Sequence, residues 1–202
     1  MSHYCVAVFT RSGDMWEVEQ LLEKYDERPA NPELFDWMEK DEEGYYFNPN
    51  AKWDWWTIGG RWHNDLKNKN GIGVDTIKVS EAFFGVDPIE YKKAERFWDV
   101  VVNHCMLQPG ERESDFETHY NAKYYKDQYR TKEFYAKMQA SFVPWAFVTM
   151  EEGDWFENGQ MGWLGTHDGD NEKRTTFYDD WQMYLRKAID EDLYITIVDC
   201  HI

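Results

Sequence analysis

The chain opens and closes on short apolar runs. Residues His3 to Phe9 read as a buried strand, and so do Tyr194 to Ile202 at the other end. After the first run, Asp14 and Glu17 have the spacing of a capping box. Val18, Leu21, Leu22 and Tyr25 then recur at helical spacing, so a helix follows the strand. Towards the C-terminus, Phe142 to Met150 and Gln160 to Gly165 predict two strands separated by a turn around Gly153 and Asp154. A helix from about Tyr178 to Ile189, with Trp181, Tyr184, Leu185 and Ala188 on one face, leads into the final strand. The order β-α, then β-β-α-β, predicts an α+β fold: a ferredoxin-like split β-α-β sandwich, with an antiparallel sheet and helices on one face. In that arrangement the first and last strands are antiparallel neighbours at the sheet centre. His3 then comes near Asp199 and His201.

A large insertion follows the first helix. Its acidic, proline-containing stretch from Glu27 to Glu43 reads as an exposed connection, and the segment Tyr45 to Trp62 comes next. Two helices are expected beyond it. One has Asp87 as its cap and Pro88 at its first position, and buries Ala94, Phe97, Trp98 and Val101; the other runs from about Ser114 to Gln139. The length, 202 residues, suits a single domain over 1–202 with the helical insertion at about 85–140.

Composition narrows the function classes. Hydrophobic residues make up 42% of the chain and aromatics 18%, enough apolar surface to offset the entropy of ordering and more aromatic surface than a core of this size needs. A net charge of −17 repels a phosphate backbone, so a broad nucleic-acid interface is not expected. Cys5, Cys105 and Cys200 form no C-x-x-C pair, and no run approaches a membrane span or a cleaved leader. These features predict a cytoplasmic protein with free thiols. The six histidines show no metal-ligand spacing, and neither a metal nor a cofactor is expected.

The segment from Asn48 to Trp62, NPNAKWDWWTIGGRW, places four tryptophans, two cations, a carboxylate and a diglycine within fifteen residues. Gly59 and Gly60 permit positive φ and a close backbone approach, with amides free to form an anion-binding nest. Arg61 offers a planar fork of donors for a phosphate or carboxylate, and Lys52 a point charge. The indoles Trp53, Trp56 and Trp62 suit stacking on a planar base. With Asp54, these residues make the candidate ligand site. A diglycine is also an ordinary turn, and alternating tryptophan is also one face of a strand. The second cluster is His3, Asp199 and His201. An Asp and a His two residues apart on a strand share a face, so Asp199 can orient an imidazole for acid-base work. His63 reads as a loop residue.

The pattern Asn-Pro-x-Ala-Lys-Trp-Asp-Trp-x-x-x-Gly-Gly-Arg-Trp resembles a family of proteins, mostly without assigned activity, encoded by bacteriophages and some actinobacteria. The opening strand and helix, the segment Gly159 to Trp163 and the closing Val198-Asp199-Cys200-His201-Ile202 share the resemblance; the region from about Gly85 to Gln139 does not. It implies a phage origin and carries no catalytic residues over. Three functions of different class follow. The first is a sponge that sequesters a small nucleotide, such as a host immune signal, and so counters antiviral defence. The second is a metal-independent phosphodiesterase using His3 or His201, with Arg61 and Lys52 on the phosphate. The third is an acidic inhibitor that binds a host defence protein.

Overall fold

The structure, a computed structural model describing residues 2–151, 153–162 and 166–202, is α+β, with a six-stranded mixed sheet. Along the chain come β1 (His3–Thr10), α1 (Met15–Glu23), a small ladder of β2 (Glu39–Lys40) with β3 (Tyr46–Phe47), β4 (Trp55–Ile58), a second small ladder of β5 (Leu66–Lys67) with β6 (Gly73–Val74), and β7 (Thr76–Lys78). Then follow α2 (Pro88–Val101), α3 (Ala122–Tyr129), α4 (Lys132–Ala140), β8 (Ala146–Val148), β9 (Trp155–Glu157), α5 (Asn171–Asp190) and β10 (Tyr194–His201). Two compact units result. Met1–Phe83, Pro144–Asp168 and Asp179–Ile202 form the first, and Phe84–Val143 with Gly169–Tyr178 the second.

In the first unit β1 and β10 pair antiparallel along their whole length at the sheet centre, from His3 opposite His201 to Thr10 opposite Tyr194. Tyr4, Val6 and Val8 point to the face where α1 packs Val18 and Leu22. Phe9 and Phe147 point to the other, against Trp181 and Tyr184 of α5. Both faces are thus covered, which corrects the expected one-sided layer and explains why β1 is apolar without alternation. Each large side chain buried this way removes roughly 1.5–3 kcal/mol of unfavourable exposure.

The strand order β10-β1-β8-β9 also departs from the split arrangement. β8 lies parallel to β1 as its direct neighbour, with no strand between them, and β9 is antiparallel at the edge. Burial accounts for the order: Ala146, Phe147 and Val148 are buried, whereas Trp155 to Glu157 are half-buried, as an edge strand permits. β9 lies upstream of the expected Gln160–Gly165, of which residues 163–165 fall outside the described residues. The chain reverses through Gly153 at φ +64°, where the turn is expected, but the second strand begins directly after it, and its Phe156 stacks flat on Phe147 with ring centroids 4.7 Å apart. The expected capping box on α1 is also rearranged: Asp14 makes no side-chain cap bond, and the Glu17 carboxylate accepts instead from the Ser12 amide and hydroxyl, each at 2.8 Å.

In the second unit the Asp87 carboxylate accepts from the amides of Ile89 (2.8 Å) and Glu90 (3.2 Å), capping α2 as its sequence predicts. Ala94, Trp98 and Val102 pack there against Tyr125, Tyr135 and Ala136. The single helix expected over 114–139 is two. Arg130 adopts φ +58°, and the Thr131 hydroxyl accepts from the Phe134 amide at 3.1 Å, starting α4 afresh. Among the described residues, no helix is long and apolar enough to cross a membrane.

Candidate functional site

The antiparallel register sets His3 and His201 side by side on one face of the sheet, at the end away from Phe9. Their rings meet edge to face with centroids 4.9 Å apart. His3 Nδ1 lies 2.9 Å from Asp199 Oδ1, and His201 Nδ1 lies 2.5 Å from Asp54 Oδ1. An ionised carboxylate only accepts, so in both rings Nδ1 carries the proton of that bond. Nε2 of each ring has no hydrogen-bond partner among the described residues. Both imidazoles are largely enclosed, with side-chain exposures of 12% and 7%.

Trp55, opposite His201 on β4, holds the pair in place. Its indole stacks on His201 at 5.0 Å and 16° and meets His3 edge-on at 5.3 Å. Sequence reasoning passed over Trp55, although the period-2 alternation of a strand separates it from Trp56. That alternation turns Trp56 towards the α1 side, where it packs on the core. Cys5 sits opposite Asp199 on β1 and offers no nucleophile, because burial pushes its thiol well above the usual range.

The diglycine makes the close approach its composition predicts, but towards the protein's own carboxylates. Gly59 and Gly60 have φ of +70° and +54°. A Cβ on Gly60 would lie 2.4 Å from Asp199 Cβ, and one on Gly59 would lie 2.6 Å from Asp75 Oδ2. The amide that a nest would offer to a ligand, that of Arg61, donates to Asp199 Oδ2 at 3.0 Å. Asp199 is therefore held from both oxygens. The Arg61 side chain is exposed, with no ion pair among the described residues.

The other candidate ligand residues are placed differently from expectation. Trp53 is buried in the core beside α1, and its indole N–H donates to the Leu22 carbonyl at 3.2 Å. Lys52 Nζ pairs with Glu157 Oε1 at 2.9 Å. Asp54 is the partner of His201, and Trp62 is half-buried in the short 3-10 turn Gly60–Trp62. Lys52, Trp53 and Asp54 are thus each engaged within the protein, whereas Arg61 is exposed on the diglycine turn. The cavity of about 430 Å³ beside α1, lined by Thr10, Trp16, Leu21 and Met150 among others, includes none of these residues. Among the described residues, no three His, Cys, Asp or Glu side chains are grouped to hold a metal ion.

Two imidazoles oriented by carboxylates are of the kind used for proton transfer, and the backbone amide of Arg61 joins them through Asp199. Compared with protein-family models, curated protein sequences and solved structures, the chain matches none.

Proposed function

We propose that the protein is a phosphodiesterase that cleaves a small phosphodiester, a cyclic nucleotide being the class the signature favours, by proton transfer between His3 and His201. One observation carries this reading: two imidazoles 4.9 Å apart, each fixed through Nδ1 by its own carboxylate, with Nε2 left over on both. The neutral ring accepts a proton at Nε2 from water or a substrate hydroxyl as the new P–O bond forms. The protonated ring donates from Nε2 to the departing oxygen as the old P–O bond breaks. The pair ends with its protons exchanged, and solvent restores it. Arg61 stabilises the negative charge that accumulates on the phosphoryl oxygens, whereas Lys52 is held by Glu157.

Sequestration draws on the whole stretch from Lys52 to Trp62 and is less well supported, since two of its contacts, Trp53 and Lys52, have other partners. The acidic balance of the chain fits a small substrate better than a long polyanion. The test is incubation of the purified protein with cyclic mono- and dinucleotides, followed by denaturation and chromatography. A linear product, lost in His3→Gln and His201→Gln, is the expected result. Intact nucleotide released from a tight complex would overturn it in favour of the phage-type sponge. Capture of a host defence enzyme with no nucleotide bound would favour the inhibitor.

A further inference from the structure

A third carboxylate-held imidazole lies next to this pair. His63 Nδ1 is 2.6 Å from Asp75 Oδ2, while Asp75 Oδ1 accepts from the Asn64 amide at 2.9 Å. Its position follows from how residues 59–75 leave the sheet and return. The Gly59 amide donates to the Ile197 carbonyl at 2.8 Å, and the Ile197 amide donates to the Asp75 carbonyl at 2.7 Å, so one residue of β10 holds both ends of the excursion. Asp75 continues the β7 ladder opposite Ile197, two residues before Asp199 on β10, and so shares the face of His3 and His201. Two residues of strand advance the site by about 7 Å. Arg61 lies on the turn between these carboxylates, which sit beneath Gly59 and Gly60.

His63 is unlike the other two in being open: its side chain is 65% exposed, against 12% and 7%. An exposed imidazole ordinarily samples several rotamers. Here Asp75 fixes it while Nε2 keeps no partner among the described residues. In its protonated form that nitrogen is a donor. A diester carries one negative charge, which Arg61 matches, so a second fixed donor has no counterpart on a simple diester. We propose that His63, positioned by Asp75, forms a second anion subsite beside the one Arg61 serves, and that the preferred substrate is a nucleotide with a further phosphate adjoining the scissile diester. This rests on the phosphodiesterase reading for which phosphate is cleaved, though not for which is bound.

The test uses two linear dinucleotides that differ only in a 5′-phosphate. For the wild-type protein kcat/KM should favour the phosphorylated one by about tenfold or more, the scale of one charge-assisted hydrogen bond. His63→Gln should bring the ratio to near unity, mainly through KM, and Asp75→Asn should do the same by freeing the ring. A wild-type ratio near one would overturn the proposal. So would a His63→Gln protein that melts at a lower temperature yet keeps the wild-type ratio, since His63 would then only brace the turn. If neither linear dinucleotide is cleaved, calorimetric affinities of the same two compounds decide the subsite, equal values overturning it, while the phosphodiesterase reading fails only if cyclic nucleotides are left intact as well.

Discussion

The two halves of the tryptophan-rich signature do different work. From Asn48 to Trp53 the segment is fastened to the end of α1: Asn48 Nδ2 donates to the carbonyls of Lys24 (2.9 Å) and Asp26 (2.8 Å), the Lys52 amide bonds to Tyr25, and Trp53 fills the core. From Asp54 to Trp62 the segment lies along β10 and serves its polar end, through Asp54 on His201, Trp55 on both imidazoles and Arg61 on Asp199. An unusual composition marks a constrained segment without saying what constrains it. Here packing against α1 constrains one half, and bonds and ring contacts to His3, Asp199 and His201 constrain most of the other, with Trp56 turned into the core. Variants in the two halves should therefore separate stability from activity.

The largest effect is expected in the second half's partners. His3→Gln or His201→Gln removes an acid or base and should lower turnover of the cleaved nucleotide by about 10²–10⁴-fold. The melting temperature should move little by comparison. Steady-state rates beside thermal unfolding measure both, and a variant with full activity would remove that histidine from the mechanism.

Next in size is the first half. Trp53→Ala empties a buried indole site and removes its bond to the Leu22 carbonyl, which keeps the Tyr25 amide, so unfolding free energy should fall by about 3–5 kcal/mol. Denaturant titration reads the loss. Trp53→Phe should recover most of the packing, and the protein that remains folded should keep its turnover. A Trp53→Phe protein with native stability but weakened nucleotide binding would return this indole to the ligand site and break the division of the signature.

That division was partly legible in the sequence. The apolar runs at both ends predict the β1–β10 pairing, and the two-residue spacing of Asp199 and His201 puts both on the face that His3 also occupies. The Asp54–His201 and His63–Asp75 pairs were not legible, because they depend on how β4 and β7 divide the outer edge of β10, a register set by non-local pairing. The order of β8 and β9 escaped for a similar reason. Both segments are short and aromatic, and only the packing of Phe147 between Phe9 and Phe156 decides which lies inside. The break at Arg130 turns on one residue in the left-handed region, which helical periodicity does not reveal.

Arg61→Ala is expected to act on the site alone. Its amide, which holds Asp199, survives the substitution, and its guanidinium makes no ion pair among the described residues. Stability should stay within about 0.5 kcal/mol, the usual range for exposed positions. kcat/KM should fall by about 10–100-fold, the scale of a lost charge-assisted bond of roughly 1.5–3 kcal/mol. Unchanged kinetics would mean the phosphate is held elsewhere, and a large stability loss would make the side chain structural.

The smallest effect should come from Lys52, and it tests the boundary between the halves most closely. By composition Lys52 and Arg61 are the two cations of the signature and look equivalent. In the fold they are not. Lys52 is bonded to Glu157, which also accepts from the Trp155 indole at 2.9 Å, so the carboxylate keeps one partner when the lysine is removed. Both side chains are partly exposed, at 23% and 20%, and solvent screening limits the pair to about 1 kcal/mol. Lys52→Met should therefore cost no more than that in stability, because its stem packs much as the lysine stem does. Nucleotide KM should change by less than about twofold if no phosphate contact is lost, whereas a lost contact of that kind would raise it about tenfold or more. A tenfold rise in KM would show that the substrate draws Lys52 away from Glu157, and the signature would then act as one continuous site.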